Sequence, residues 1–407
     1  MKSFVEEAAP ADDAIIAQEE TEYGWRGLTA NGELLDVRSR NGHKAMMPAD
    51  DVLVIMRGLS HTRSLRAEVR ISDYVTHYDH ALALARENRN TEALLELDAA
   101  IAVAPTLYAS FNRALILLAL GRWREGFAEY RRCEQRSPFK RQPVAEAEAA
   151  GLKLWDGEDI AGKRLLLLHA HGYGDTIMTL RYVPLLRALG AHVTLLMPDE
   201  LHALAGQRAP VISQICDLAG PRARFDFVCP MLHVLGMLSV MPETVSGSPY
   251  LQVEPAAVEA WRARLGPGRH TGIAWSTSAQ RPGDYPRTVP LEQLVDALGG
   301  DLQRAANLHS VQRQGGLEAL ALGIRVHEIG DFADCAAMML AMDRIVTVDT
   351  AAVHLAGAIG HPHVELLLSH WSSWRWLAPW YANVKLRRQT IADDWDSALA
   401  QLDGGIP

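Results

Sequence analysis

Hydrophobic and polar positions follow several different rhythms along this 407-residue chain. Between residues 74 and 138, small and apolar residues recur at helical spacing: Ala81, Leu84, Ala93, Leu97 and Ala100, closed by Pro105. The rhythm returns about 33 residues later at Ala114, Leu117, Gly126, Tyr130 and Cys133, closed by Pro138, with Gly121 and Trp123 at the turn between helices. This predicts two helix pairs that approach closely at the small residues, proline ending the second helix of each. An Ala/Glu-rich helical stretch, 144–152, follows.

At Trp155-Asp156-Gly157 the rhythm changes to apolar strands alternating with helices. Residues 164–170 (RLLLLHA) form a continuous apolar run of buried-strand length, then come a glycine-rich loop at 171–175 and a helix over 176–189. Strands over 191–197, 211–216 and 225–229 continue the series. A second set after Pro255 comprises strands 270–275, 306–311, 324–329, 344–348 and 363–368, with helices 291–298, 333–342 and 350–359. Strands alternating with helices imply parallel, doubly wound sheets. Two such sheets joined near 248–255 predict a bilobal α/β protein with a cleft between the lobes. The first 72 residues differ from all of this: β-like pieces at 33–37 and 51–56, with the turn signal Asn31-Gly32, predict a small β-rich module of unknown role. The expected division is therefore 1–72, a β-rich module; 73–152, helical repeats; 153–253, a first α/β lobe; and 254–407, a second α/β lobe.

Composition narrows the classes. A hydrophobic fraction of 48% with 22% charged residues excludes a disordered or fibrous chain. The net charge of -9 argues against wrapping nucleic acid over a large area, which draws on many Lys/Arg–phosphate contacts. A basic stretch at Arg38, Arg40, Lys44, Arg57, Arg63, Arg66 and Arg70 reads as a solvated face or a local contact surface. Cys133, Cys216, Cys229 and Cys335 lie far apart without a CxxC pair, which fits a reducing cytoplasm. The acidic amino terminus has no signal-peptide core, and no apolar run approaches the roughly 20 residues of a membrane span.

Four constellations could carry chemistry. In HGYGDT, Gly172 and Gly174 permit a ligand to approach the backbone at a helix amino terminus. Asp175 projects a carboxylate there, as a base, a hydroxyl binder or a helix N-cap. The loop lacks the third glycine and acidic partner of a dinucleotide fingerprint. The run TVDTAAVHLAG places Asp349, Thr350, Ala351 and His354 at a strand–turn–helix junction, where free amides and the helix dipole favour a diphosphate and Asp349 could hold sugar hydroxyls. The alternative there is a capped helix with a core histidine. Ser276, Thr277 and Ser278, followed by Arg281 and Arg287, suit phosphate recognition or simply a soluble loop. The aromatic group Trp371, Trp374, Trp376, Trp380 and Tyr381, with Arg375, reads as lobe packing or as stacking on a sugar or base. His361, His363 and His370 form no metal-binding pattern.

These residues carry a resemblance. The segment WDGEDIAGKRLLLLHAHGYGDTIMTLRYVPLLRALGAHVTLL, the run TVDTAAVHLAGAIGHP and the closing WRWLAPWY with KLRRQ resemble the glycosyltransferase domain of bacterial tetratricopeptide-repeat proteins, related to the ADP-heptose:lipopolysaccharide heptosyltransferases. The helical period likewise resembles the tetratricopeptide repeat. The resemblance implies a GT-B fold of two Rossmann-like lobes, a nucleotide-diphosphate sugar as donor substrate, no cofactor or metal, and inversion at the anomeric carbon. It implies Asp175 as general base toward the acceptor hydroxyl. Asp349, Thr350, Ala351 and His354 match the donor-binding residues, Ser276, Thr277 and Arg287 fall near phosphate contacts, and Ser310 and Gln312 flank the nucleoside. Burial in the cleft is expected to raise the Asp175 pKa. The chain departs from its relatives where HAHGYGDT replaces HAEQGLGDT and where STSAQRPGDYPRTVPL replaces an Asn/Asp/Arg-rich loop. The acceptor expected is a protein, a glycan or, less readily, DNA; the helical repeats read as a groove for a peptide or acceptor, or as a helical spacer or a surface for a homo-oligomer. A catalytically silent scaffold and a phage-type enzyme acting on modified DNA bases are the alternative functions.

Overall fold

The computed structural model describes residues 15–21, 24–29, 34–38, 65–136, 140–213, 224–277, 287–299, 307–313, 315–371 and 373–403. The expected strand at 51–56, the Asn31-Gly32 turn, Pro138, Cys216, Ser278 and Arg281 lie outside the described residues. The chain divides into two compact units, Met1–Gln135 and Arg136–Pro407.

In the first unit, β1 (Ile15–Thr21), β2 (Gly24–Thr29) and β3 (Leu34–Arg38) form an antiparallel meander in that order. Only the third was anticipated, as 33–37. Helix α1 (Leu65–Arg86) then runs across residue 72, and α2 (Asn90–Val103), α3 (Leu107–Ala119) and α4 (Trp123–Glu134) follow. The residues that set the helical rhythm all face inward: Ala81, Leu84, Ala93, Leu97, Ala100, Ala114, Leu117, Tyr130 and Cys133 are buried. Gly126 is required by closeness, since a Cβ there would lie 2.7 Å from Leu118 Cγ. Polar links between helices are equally specific: Asn112 donates to Tyr78 Oη at 2.7 Å, and Arg113 meets the buried Glu129.

The second unit opens with α5 (Gln142–Ala149), which buries Val144 and Ala147 against Leu166, Leu168 and Val228 of the first sheet. That sheet contains β4 (Arg164–Leu168), β5 (His192–Leu196), β6 (Val211–Ile212) and β7 (Phe227–Pro230), all parallel, in the order β6-β5-β4-β7. The leucines of β4 are buried on both faces, as an interior parallel strand requires. Helices α6 (Tyr173–Thr179), α7 (Val183–Ala188), α8 (His202–Ala205) and α9 (His233–Met237) complete the lobe.

The second lobe begins with α10 (Pro255–Leu265), a helix absent from the sequence-based expectation. Its sheet runs β12-β11-β10-β8-β9, again all parallel, from β8 (Thr271–Ala274), β9 (Leu308–Ser310), β10 (Arg344–Val348), β11 (Val364–Leu368) and β12 (Val384–Arg388). Between them lie α11 (Leu291–Ala297), α12 (Gly316–Ala321), α13 (Phe332–Leu340), α14 (Ala351–Ala358) and the closing α15 (Asp396–Leu399). Two expectations are corrected. Residues 324–329 form no strand: Arg325 alone bridges to His309, and with Val326 and Glu328 exposed there is no neighbour to extend the pairing. The helix expected from residue 176 starts at Tyr173, which moves Gly174 and Asp175 from the loop into its first turn. Two doubly wound parallel lobes in series constitute the GT-B-type α/β architecture expected from the sequence. Among the described residues no helix is long and apolar enough to cross a membrane.

Candidate functional site

Strand order locates the site before any side chain is considered. In the first sheet the chain winds from β4 through β5 to β6 on one side and returns as β7 on the other, so the order reverses beside the carboxyl end of β4. In the second sheet it winds from β8 to β9, then crosses to β10, β11 and β12, reversing between β8 and β10. Ligands of open α/β sheets bind at such switch points, outside the strand carboxyl ends. HGYGD follows β4, Trp275-Ser276-Thr277 follows β8, and Asp349-Thr350 follows β10. Helices α6 and α14, which start from two of these points, pack directly on each other across the lobes.

That packing explains one glycine and frees the other. Gly172 is the N-cap of α6 at φ -71° and ψ 161°, with open space where a Cβ would point. A Cβ on Gly174 would instead lie 2.6 Å from His354 Cδ2 and 3.4 Å from Ala351 Cα. Gly174 is therefore the contact point between the helices. Asp175, two residues into a helix already capped by Gly172, is not an N-cap; its Oδ1 accepts from Arg375 Nε at 2.6 Å. The expected rise in its pKa is corrected: burial pushes the carboxyl up, but the charge and hydrogen bond of Arg375, with His171 and His354 adding, bring it below the ordinary value. Arg375 is itself fixed, with Nη1 donating to Ser373 Oγ at 3.1 Å and the guanidinium 4.6 Å from the Trp374 ring centre. Behind Asp175, His169 Nδ1 lies 2.8 Å from Thr176 Oγ1.

On the facing lobe, Thr350 caps α14 by accepting from Ala352 N at 3.3 Å, and Ala351 opens the helix. Asp349 is buried; Arg287 donates to its carbonyl at 3.2 Å and stands 3.8 Å from its Oδ2. His354 is buried one turn further in, stacked on Trp376 at 5.3 Å with its Nδ1 3.0 Å from Tyr381 Oη. Burial is the main reason its pKa falls to about 4, against the opposing pull of Asp349 and Asp175.

The residues after β8 and β9 brace one another. Gln312 Oε1 accepts from Trp275 N at 2.9 Å and from Ser276 N at 3.2 Å, while its Nε2 donates to Ser276 Oγ at 2.8 Å. Ser310 Oγ donates to the Gln312 carbonyl at 3.2 Å. Gln312 and Ser310 thus shape the loop from inside. Two buried polar atoms here, Thr277 Oγ1 and Trp376 Nε1, have no hydrogen-bond partner among the described residues. Unsatisfied buried polar atoms are costly and uncommon. Among the described residues no cluster of His, Cys, Asp or Glu could hold a metal ion; His361 uses both ring nitrogens on backbone groups of Met342 and His363.

Sequence reasoning did not single out Arg181 or Tyr250 and gave Arg375 and Tyr381 no role of their own. Arg181, just past α6, donates to Ser246 O at 2.6 Å and Trp380 O at 3.0 Å and lies against the rings of Tyr250, Trp380 and Tyr381. Tyr250, between the lobes, donates to Ile177 O of α6 at 2.7 Å. The aromatic group is mainly lobe packing, as one of its two readings had it: Trp374, Trp376, Trp380 and Tyr381 are all buried.

No family model matches the chain. A curated relative, "Protein FlbA" of Caulobacter vibrioides, is 28% identical over 319 residues, covering 68% of this chain and 51% of that protein. The chain thus spans about half the length of that relative. Among solved structures, a glycosyl transferase family 9 protein from Veillonella parvula is 12% identical, covering 57% of this chain and 88% of its own, with a TM-score of 0.43. The E. coli ADP-heptose lps heptosyltransferase II is 13% identical, covering 59% and 94%, with a TM-score of 0.44. Thermobaculum terrenum O-GlcNAc transferase is 12% identical, covering 87% and 90%, with a TM-score of 0.28. These likenesses are loose, and the chemistry of the site follows from its own atoms.

Proposed function

We propose that this protein is a cytoplasmic glycosyltransferase that moves a sugar from a nucleotide-diphosphate sugar to an acceptor hydroxyl. The observation that carries the reading is the meeting of two switch points: a half-buried carboxylate, Asp175, on one lobe faces a threonine-capped helix amino terminus with the buried His354 on the other. The helix end and Arg287 suit a diphosphate, and Asp349 suits hydroxyls. Thr277 Oγ1 and Trp376 Nε1 supply further polar atoms for a ligand. In a single inverting displacement, Asp175 takes the acceptor proton as the sugar–phosphate bond breaks, and the Thr350 and Ala351 amides with Arg287 stabilise the departing diphosphate. No metal or cofactor is assigned a step. The nucleotide sugar is a substrate.

The Asp175–Arg375 ion pair favours a second reading, a binding scaffold whose carboxylate is held rather than used. A screen of nucleotide-diphosphate sugars for thermal stabilisation, followed by product analysis, separates the two. A donor that raises the melting temperature and loses its sugar supports transfer. A donor that binds and stays intact with every acceptor tried supports the scaffold, and absence of any stabilisation refutes the nucleotide-sugar site.

A further inference from the structure

One side chain, Arg181, ties together the three pieces of chain that meet between the lobes. It lies in a single 3₁₀ turn, Leu180–Tyr182, that continues α6. Its Nε donates to Met178 O at 3.1 Å, Nη1 to Ser246 O at 2.6 Å and Nη2 to Trp380 O at 3.0 Å. Met178 belongs to the helix that carries Asp175, Ser246 to the stretch leading from the first lobe into the second, and Trp380 to the aromatic run of the second lobe. All three nitrogens of a planar fork are thus spent on three different segments, which a lysine point charge could not span. The rings of Tyr250, Trp380 and Tyr381 enclose the guanidinium, with centres 4.5, 5.2 and 4.9 Å away. Among the described residues Arg181 makes no ion pair, so its charge is committed to these carbonyls and rings.

We propose that Arg181 is a positioning residue for the transfer reaction: by tying α6 to the joining stretch and to Trp380, it fixes where Asp175 stands against the diphosphate end of α14. The inference deepens the proposed function and rests on it for the reaction. Arg181 follows Asp175 by six residues, about 9 Å along a helix axis, and so holds the helix of the base from its far end. Its anchor on the other lobe is equally firm. Trp380 is one peptide from Tyr381, whose ring leaves no room for a Cβ on Gly357 of α14 and whose Oη lies 3.0 Å from His354 Nδ1. From the joining stretch, Tyr250 adds a bond to Ile177 O of α6 at 2.7 Å. The other contacts across the lobes do a different job. Arg375 engages the Asp175 carboxylate itself, and the Glu200–Arg313 pair is exposed, where ion pairs contribute little. Only the Arg181 fork indexes the helix of the base against the helix of the diphosphate site, and a misplacement of about 1 Å between reacting groups costs about a hundredfold in rate.

The test is a two-part experiment on the full chain with Arg181→Gln and Arg181→Lys, the lysine variant carrying it if the glutamine variant does not fold. Spin labels at Leu189→Cys and Ile391→Cys, exposed positions on the first and second lobes, read the distance between lobes by electron double resonance; Cys133, Cys229 and Cys335 are buried. The chain with Arg181 intact is expected to give one narrow distance, and both variants a broadened or displaced one. The second part uses a donor found among ADP-glucose, UDP-glucose and GDP-mannose. Both variants are expected to lose about a hundredfold in kcat while the donor Kd changes less than about threefold, since Asp349, Thr350 and Arg287 all belong to the second lobe. On an Asp175→Asn background the Arg181 substitutions should cost nothing further, because a base that is absent cannot be misplaced. A distance unchanged in both variants overturns the proposal, as does a kcat loss that persists in full on Asp175→Asn or a donor Kd that rises as far as kcat falls. If wild type turns over none of the donors, the proposed function falls and the positioning role with it, while a narrow distance that broadens in the variants still establishes the tie between the lobes.

Discussion

Gly172 and Gly174 stand two residues apart in one motif, yet the packing assigns them opposite fates on mutation to alanine. A Cβ at Gly174 arrives 2.6 Å from His354 Cδ2, inside any real carbon–carbon contact. The imidazole has no easy retreat, with Trp376 stacked on it and Tyr381 bonded to Nδ1. Overpacking of this kind costs about 1–3 kcal/mol, and alanine in a helix returns up to about 1, leaving a net loss of about 1–2 kcal/mol. For a domain of this size that is a drop in melting temperature of roughly 2–8 °C. At Gly172 nothing lies within reach of a Cβ and φ is -71°, which any residue adopts. There a weaker N-cap and a less flexible unfolded chain offset each other to within about 0.5 kcal/mol. Differential scanning fluorimetry on the two single variants reads the difference directly. In a His354→Ala background the penalty of Gly174→Ala should largely vanish, because the clashing ring is gone. Equal melting temperatures for the two glycine variants, or a Gly174→Ala penalty unchanged without the ring, would refute the helix-contact argument.

Other outcomes follow from the charged groups. Arg375→Gln leaves the half-buried Asp175 without its partner and should cost up to about 3 kcal/mol near neutrality. Because the pair depresses the Asp175 pKa, its contribution is present above the unfolded carboxyl value and lost as pH falls through the folded one. The stability gap between wild type and variant in urea titrations should therefore narrow in acid, and a gap that stays constant would count against the pairing. Buried His354 and His309, with folded pKa values near 4 and 3 against an unfolded 6.5, act in the same direction at higher pH. Between pH 6.5 and about 4 the unfolded chain binds more protons, so stability falls as pH falls, by up to about 3 kcal/mol for His354 alone. His354→Gln should flatten that acid limb, and a limb of unchanged slope would contradict the burial argument.

What the sequence revealed depended on how local each signal was. The leucines of β4 and the RIVTV of β10 announced themselves because interior parallel strands are apolar on both faces, and the latter emerged at its expected bounds. Thr350 was legible as the start of α14 because capping is decided within three residues. β12 was missed because VKLRR mixes apolar and basic positions; as an edge strand it answers those charges with Asp403 and Glu365 from elsewhere in the chain. The Asp175 pKa was misjudged for the same reason, since burial could be guessed from the motif but Arg375 enters from 200 residues away. Gly174 looked like room for a ligand because nothing nearby in sequence shows that α14 fills the space. Tyr250 and Arg181 gave no sequence signal at all; only the meeting of the lobes makes them a pair.

The central claim is that Asp175 serves as the base in sugar transfer, and the most direct measurement compares wild type with Asp175→Asn for both binding and turnover of a donor found in the nucleotide-sugar screen. A positioned general base contributes about 10²–10⁴-fold, so the variant should lose at least about a hundredfold in release of the nucleoside diphosphate while binding the donor with nearly the wild-type Kd. Turnover that survives the substitution, or donor binding that falls as far as turnover does, would contradict it.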